Sequence, residues 1–113
     1  MSQELESRFE DFARRVRDFC LDLKFDIINR EYISQLIRSS GSVGANYIEA
    51  SDSLGKADEL MKLKISRREA KESIYWLNLL LIDEDRMLEE TKLILIDEAQ
   101  QIKKILSAII NKL

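Results

Sequence analysis

The fold class predicted by this sequence is all-α: an up-down-up-down antiparallel four-helix bundle, with residues 1–113 forming a single domain. Three observations predict it. Large apolar residues recur at steps of three and four over most of the chain, the spacing that aligns them on one face of a helix. The chain contains no proline and only three glycines, so little compels a helix to stop. The residues that do favour stops (Asn, Asp, Ser and Gly) gather at three places and leave four stretches of similar length.

The first helix is expected over about 3–24. Leu5, Phe9, Phe12, Val16, Phe19 and Leu23 form its apolar stripe, and Arg14, Arg15, Arg17 and Asp18 lie off that seam. Phe25-Asp26-Ile27-Ile28-Asn29 makes the first connection, with Asp26 and Asn29 both suited to cap the next helix. That second helix, over about 30–53, uses Ile33, Leu36, Ile37, Val43, Tyr47 and Leu54. Its middle, from Ser39 to Gly44, is poor in helix formers, and each Gly costs about 1 kcal/mol relative to Ala. The apolar phase nevertheless runs through it, so an unbroken helix is expected, with close packing offsetting the cost. Ser53-Leu54-Gly55 makes the second break. The third helix, over about 56–83, turns Leu60, Leu63, Ala70, Ile74, Leu77 and Leu81 one way. Asp83-Glu84-Asp85 opens an acidic connection, and the fourth helix is expected over about 90–113. It starts with Glu90 and ends with Lys103, Lys104 and Lys112, the order that the helix dipole favours. Short connections between helices of matched length require antiparallel neighbours.

Composition excludes several classes of chemistry. With no histidine there is no imidazole base and no His ligand for a metal; with one cysteine there is neither an internal disulfide nor a multi-thiolate site. The longest apolar run, Ile74 to Ile82, is interrupted by Asn78 and falls far short of the roughly 20 residues of a membrane span. A polar, mixed-charge start is unlike a secretory signal. A cytoplasmic protein with no membrane contact is the expectation. The net charge of −3 argues against a global electrostatic fit to nucleic acid but leaves room for a local basic face.

The apolar surface exceeds what one bundle can bury. Ile94, Leu95, Ile96, Ala99, Ile102, Ile105, Leu106, Ile109 and Ile110 sweep an arc of about 200° on the fourth helix, against the roughly 100° a bundle core needs. From Ile74 to Ile82 every side of the third helix bears a large apolar residue. Self-association follows, with Trp76, Leu80, Ile94 and Ile105 as candidate interface residues. Leu77 falls on the core stripe, and Trp76 is turned about 100° from it, towards the flank.

Candidate sites are few. Arg38, Ser42, Asn46 and Glu49, beside Ser39 and Ser53, share one side of the second helix. They form either a contact surface for a ligand or nucleic acid, or a close helix interface whose polar groups satisfy one another. Lys56, Lys62, Lys64, Arg67, Arg68 and Lys71 are candidate nucleic-acid contacts on the third helix. Asp58, Glu59, Glu69 and Glu72 interleave with them, which also fits a solvated face with i,i+4 pairs. Glu69/Glu72 and Asp83-Glu84-Asp85 match neither the Glu-x-x-His of di-iron bundles nor the order of a calcium loop. Gly41-Ser42-Val43-Gly44 lacks the Gly-Lys-Ser/Thr of a phosphate loop. Cys20, on the seam beside Phe19, fits a small core residue. No catalytic residue, metal, cofactor or small-molecule substrate is expected.

Two segments together resemble a known family. One runs from Gln35 to Ala50 and places small residues after Arg38, followed by Ala45-Asn46 and Glu49-Ala50. The other runs from Lys64 to Leu77, with Glu69-Ala70-Lys71-Glu72 leading to Tyr75-Trp76-Leu77. In that order and spacing they resemble the four helix bundle proteins, also called 23S rRNA-intervening-sequence proteins, and are similar to the accessory variability determinant proteins of diversity-generating retroelements. Relatives often place a proline near the first connection, where this chain has Asp26-Ile27-Ile28-Asn29-Arg30, and Ser or Thr where it has Gly41. The resemblance implies a subunit of a ring-like homo-oligomer, a pentamer, working as a non-enzymatic scaffold. The alternative it implies is an adaptor that binds RNA, another nucleic acid or a nucleic-acid-binding protein.

Overall fold

The computed structural model describes residues 1–113 and contains four helices and no strand: α1 (Gln3–Leu21), α2 (Ile27–Ser51), α3 (Lys56–Leu79) and α4 (Arg86–Asn111). Each packs against its neighbours in the order α1–α2–α3–α4–α1, and the diagonal helices keep their Cα atoms more than 8 Å apart. The result is a four-cornered up-down-up-down bundle about 47 Å long.

The termini follow from caps. Ser2 Oγ accepts from the Leu5 amide, and Asp85 Oδ1 accepts from the Leu88 amide. Asp26 Oδ1 accepts from both Ile28 and Asn29. Each satisfies donors that a first turn leaves open. Because Asp26 is the cap, α2 begins three residues before the expected start, and Asn29 lies inside the helix, fully buried. Asp85 likewise starts α4 ahead of the expected residue 90, and α1 stops at Leu21 instead of running to 24. At Gly55 φ is 145°, a conformation that L side chains avoid; α3 begins there without a side-chain cap.

The largest departure is the end of α3. It stops at Leu79, and Leu80-Leu81-Ile82 continue extended, so Leu80 and Ile82 are buried and Leu81 between them is exposed. The cause is Asn29. Its Oδ1 accepts from the Leu81 amide at 2.8 Å, and its Nδ2 donates to the carbonyls of Leu81 and Lys24 at 2.9 and 3.0 Å. One buried amide thus ties both connections at this end of the bundle. Asp83 completes the reversal with φ 47°.

The α1 stripe packs as its spacing predicts, Phe9, Phe12 and Val16 being fully buried against Leu36, Val43, Leu63, Ala70, Leu77, Ala99, Ile102 and Leu106. Three residues assigned to core stripes, Ile37, Leu54 and Leu81, are instead exposed; Leu54 lies in a connection and Ile37 on the outer edge of α2. The Ser/Gly stretch of α2 is continuous helix. Gly44 is where α1 comes close, since a Cβ there would stand 3.4 Å from that of Phe9.

Candidate functional site

The polar set on α2 does not form a network. Asn46 Nδ2 donates to the Ser42 carbonyl within its own helix at 2.8 Å. Glu49 turns to α3 and accepts Lys62 Nζ at 2.9 Å, while Arg38 is exposed and bonded to neither. The expectation that Arg38, Asn46 and Glu49 satisfy one another is corrected: they share a side of α2, but Arg38 stands two to three turns from the other two along the axis, and Asn46 and Glu49 each take another partner. The buried polar contacts of this seam are hydroxyls. Ser39 and Ser73 pair at 2.9 Å, Ser73 also reaches the Glu69 carbonyl, and Ser66 donates to the Val43 carbonyl at 2.6 Å.

The basic set on α3 is divided among three sides. Lys62 is held by Glu49, whose hydrogen bond raises the ammonium's pKa above its ordinary value. Arg67 Nη1 donates to Ser107 Oγ on α4 at 3.1 Å. Lys56 stands exposed at the start of the helix. Lys64, Arg68 and Lys71, at i, i+4 and i+7, share the outer face. A shallow depression of about 490 Å³ follows that face, lined by Ala57, Leu60, Met61 and Ile65 together with Lys64 and Arg68. The Arg67–Ser107 contact fixes the α3–α4 register, which brings Lys103, one turn back along α4, beside Lys71. The sequence places Lys103 on α4 without showing this partnership, which depends on the register of antiparallel helices.

Of the interface candidates, Ile94 is exposed and Ile105 half-buried on α4. Trp76 is half-buried, with Tyr75 edge-on to it at a centroid distance of 5.1 Å and Tyr32 tilted against it at 6.2 Å. Leu80 is corrected: at 6% exposure it belongs to the core, because α3 ends one residue earlier and the extended segment folds beneath the bundle.

The remaining ionisable groups offer no paired acid and base. Burial pushes the Cys20 thiol up to about 12, so it is not a thiolate at neutral pH. Burial, then the hydrogen bond and charge of Glu72, raise Glu69 above the usual carboxylate range, and Arg68 opposes them. Nowhere do three His, Cys, Asp or Glu side chains converge as a metal ion requires. No helix is long and apolar enough to cross a membrane. Arg8, not singled out by its spacing, grips Glu98 through Nε and Nη2 at 2.8 and 2.9 Å and Gln101 at 2.8 Å, joining α1 to α4.

The sequence matches the family described as 23S rRNA-intervening sequence protein over residues 4–108. The structure is similar to that of a protein with unknown function from the S23 ribosomal protein family of Bacteroides thetaiotaomicron. Sequence identity to it is 29%, the TM-score is 0.78, and the match covers 93% of this chain and 96% of that one. No curated protein matches.

Proposed function

Since the chain belongs to the 23S rRNA-intervening sequence protein family, we propose that it is a non-enzymatic cytoplasmic scaffold that works as a homo-oligomer, with five copies as the favoured number. The observation that supports this reading is uncovered apolar surface on the sides of the bundle: Ile37 and Ile48 on α2, Tyr75 on α3, and Met87, Leu93 and Ile94 on α4. Such residues are common singly, but grouped along helix flanks they favour contact with another subunit. Gel filtration coupled to light scattering tests it. A mass of several chains is expected, and the mass of one 13.2 kDa chain at micromolar concentration overturns it.

A second reading, an adaptor for RNA or a nucleic-acid-binding protein, is favoured by one observation. Lys64 and Lys71 have no acidic partner, Arg68 has only Glu69 at 4.0 Å, and Lys103 adds a further cation beside them. Phosphate contacts of this kind weaken steeply with salt. Titration of labelled structured RNA should give binding at low salt that fades at moderate salt; no binding at low salt removes this reading.

A further inference from the structure

Two uncovered faces of the bundle differ in relief. An open groove runs between α1 and α2 as two adjoining cavities of about 300 and 270 Å³ that share Glu10, Ala13 and Gly41. Its floor is small (Ala13, Ser40, Gly41, Gly44 and Ala45), with Ile37 and Ile48 towards its ends. Gly41 has no reason within the subunit to be glycine. A Cβ there would meet nothing within 4 Å, and its φ is not positive, yet glycine weakens a helix interior. Round the corner of the bundle stands a ridge. Met87, Ile94 and Ile105 lie 11 and 4 residues before and 7 after Glu98, the residue that faces α1, so they share that flank of α4. Met87 is 78% exposed and Ile94 55%.

We infer that a neighbouring copy of this chain seats its α4 ridge in the α1–α2 groove. The inference rests on the homo-oligomer reading and names its contact. Shape is the first argument: large side chains stand on the ridge and small ones line the groove. Charge is the second. Near that flank α4 runs from Glu90 at its start to Lys112 at its end. Asn29 on Leu81 shows that α2 and α4 begin at the same end of the bundle. At that end the groove is flanked by Arg17 of α1 and Arg30 of α2, exposed beside Asp18 and Glu31, and at the other by Glu6, while Arg14 and Glu10 pair with each other in between. Copies standing the same way up, as in a ring, set acid against base at both ends; an inverted copy sets like against like. Closure is the third. The groove and the α4 flank are on adjacent sides of a four-cornered bundle, roughly a right angle apart, so successive copies turn the same way and close a small ring. Contacts on opposite sides would extend as a filament.

The internal register supplies the test. Val43 is bonded to Ser66, and the next residue, Arg67, to Ser107, so Val43 and Ser107 are at one height and Ala45 faces Ala108 of the neighbour. Within a chain no Cα of α2 comes within 8 Å of one of α4, too far for a disulfide, and Cys20 is buried. Mild oxidation of the full chain carrying Ala45→Cys and Ala108→Cys together is therefore expected to give a covalent ladder whose top rung counts the copies, while each single variant stops at a dimer. A double variant without rungs above the dimer overturns the contact. Gly41→Leu fills the groove at a position with room inside the subunit, so helix content is expected to persist while the mass by light scattering falls to one chain. Wild type and Gly41→Leu both assembled overturn this contact and leave the oligomer reading standing. Wild type at the mass of one chain ends both.

Discussion

The α2–α3 seam and the α1–α4 seam join helices in opposite ways. Between α2 and α3, which make the most extensive contact in the bundle, the facing residues are small: Ser39 and Val43 against Ser66, Ala70 and Ser73. The backbones come close enough for a serine hydroxyl to reach across to a carbonyl, as Ser66 does to Val43. Between α1 and α4, the least extensive contact, the link is the long side chain of Arg8 reaching Glu98 and Gln101 at the rim. A short hydroxyl works only where helices nearly touch, and a guanidinium needs the width and the water that a looser seam provides. The lesson concerns the small residues in the middle of α2, Ser39 towards α3 and Gly44 towards α1. They weaken the isolated helix, but each sets the approach of the neighbour it faces.

The contrast can be broken most strongly at Leu77, fully buried on α3 one turn beyond Ser73. Leu77→Ala should lower stability by about 2–5 kcal/mol, since the close backbones around it have little room to collapse into the cavity. Ile105→Ala on the half-buried flank of α4 should cost about 1 kcal/mol, because less apolar area leaves water there. Thermal unfolding reads both in the Gly41→Leu background at equal protein concentration, where Ile105 has no neighbouring copy to lose. Equal losses would mean the two seams are equally tight.

Ser66→Ala removes the hydroxyl bridge from the tight seam without adding volume. The expected loss is about 1 kcal/mol, the usual net contribution of a buried neutral hydrogen bond. At the loose seam, replacing both ends of the ion pair, Arg8→Met with Glu98→Met, should cost less than about 1 kcal/mol, as partly exposed pairs do. Urea denaturation of the two variants side by side decides the ranking. A double replacement costlier than Ser66→Ala would make the α1–α4 clamp the stronger fastening.

Much of this architecture was legible in the sequence, and the parts that were not share a cause. The stripe from Leu5 to Leu23 and the unbroken Ser/Gly helix could be read because both depend on spacing within one helix. The ends of α2 and α3 could not. Asn29 looks like one more capping residue beside Asp26, and only when the chain is folded does Leu81 arrive to occupy its amide. The candidate site fared the same way. Lys64, Arg68 and Lys71 share a face by period alone. The diversion of Lys62 to Glu49, the use of Arg67 by Ser107 and the burial of Leu80 all depend on contacts between elements. Arg38, Asn46 and Glu49 illustrate the opposite error, a cluster inferred from a shared helix side although Arg38 stands two to three turns from the others and nearer partners take Asn46 and Glu49.

The smallest expected effect tests the tight seam through its charge. Glu69 sits half-buried on α3 where its carbonyl accepts from Ser73, with Glu72 one turn on and Arg68 beside it. Burial and then Glu72 raise its pKa in the folded state, so between the unfolded value, about 4.3, and the raised folded value the native chain holds the proton more tightly than the unfolded one. Stability from this group is therefore present at acid pH and is lost as pH rises through that window. Glu69→Gln keeps the side chain's shape and removes the titration. The difference in melting temperature between variant and wild type should be near zero below the window and favour the glutamine variant at pH 7. Differencing the two proteins cancels the other carboxylates, which titrate in both. A glutamine variant less stable than wild type at pH 7 would mean that attraction to Arg68 outweighs burial and Glu72, and that the edge of the tight seam is wetter than its packing indicates.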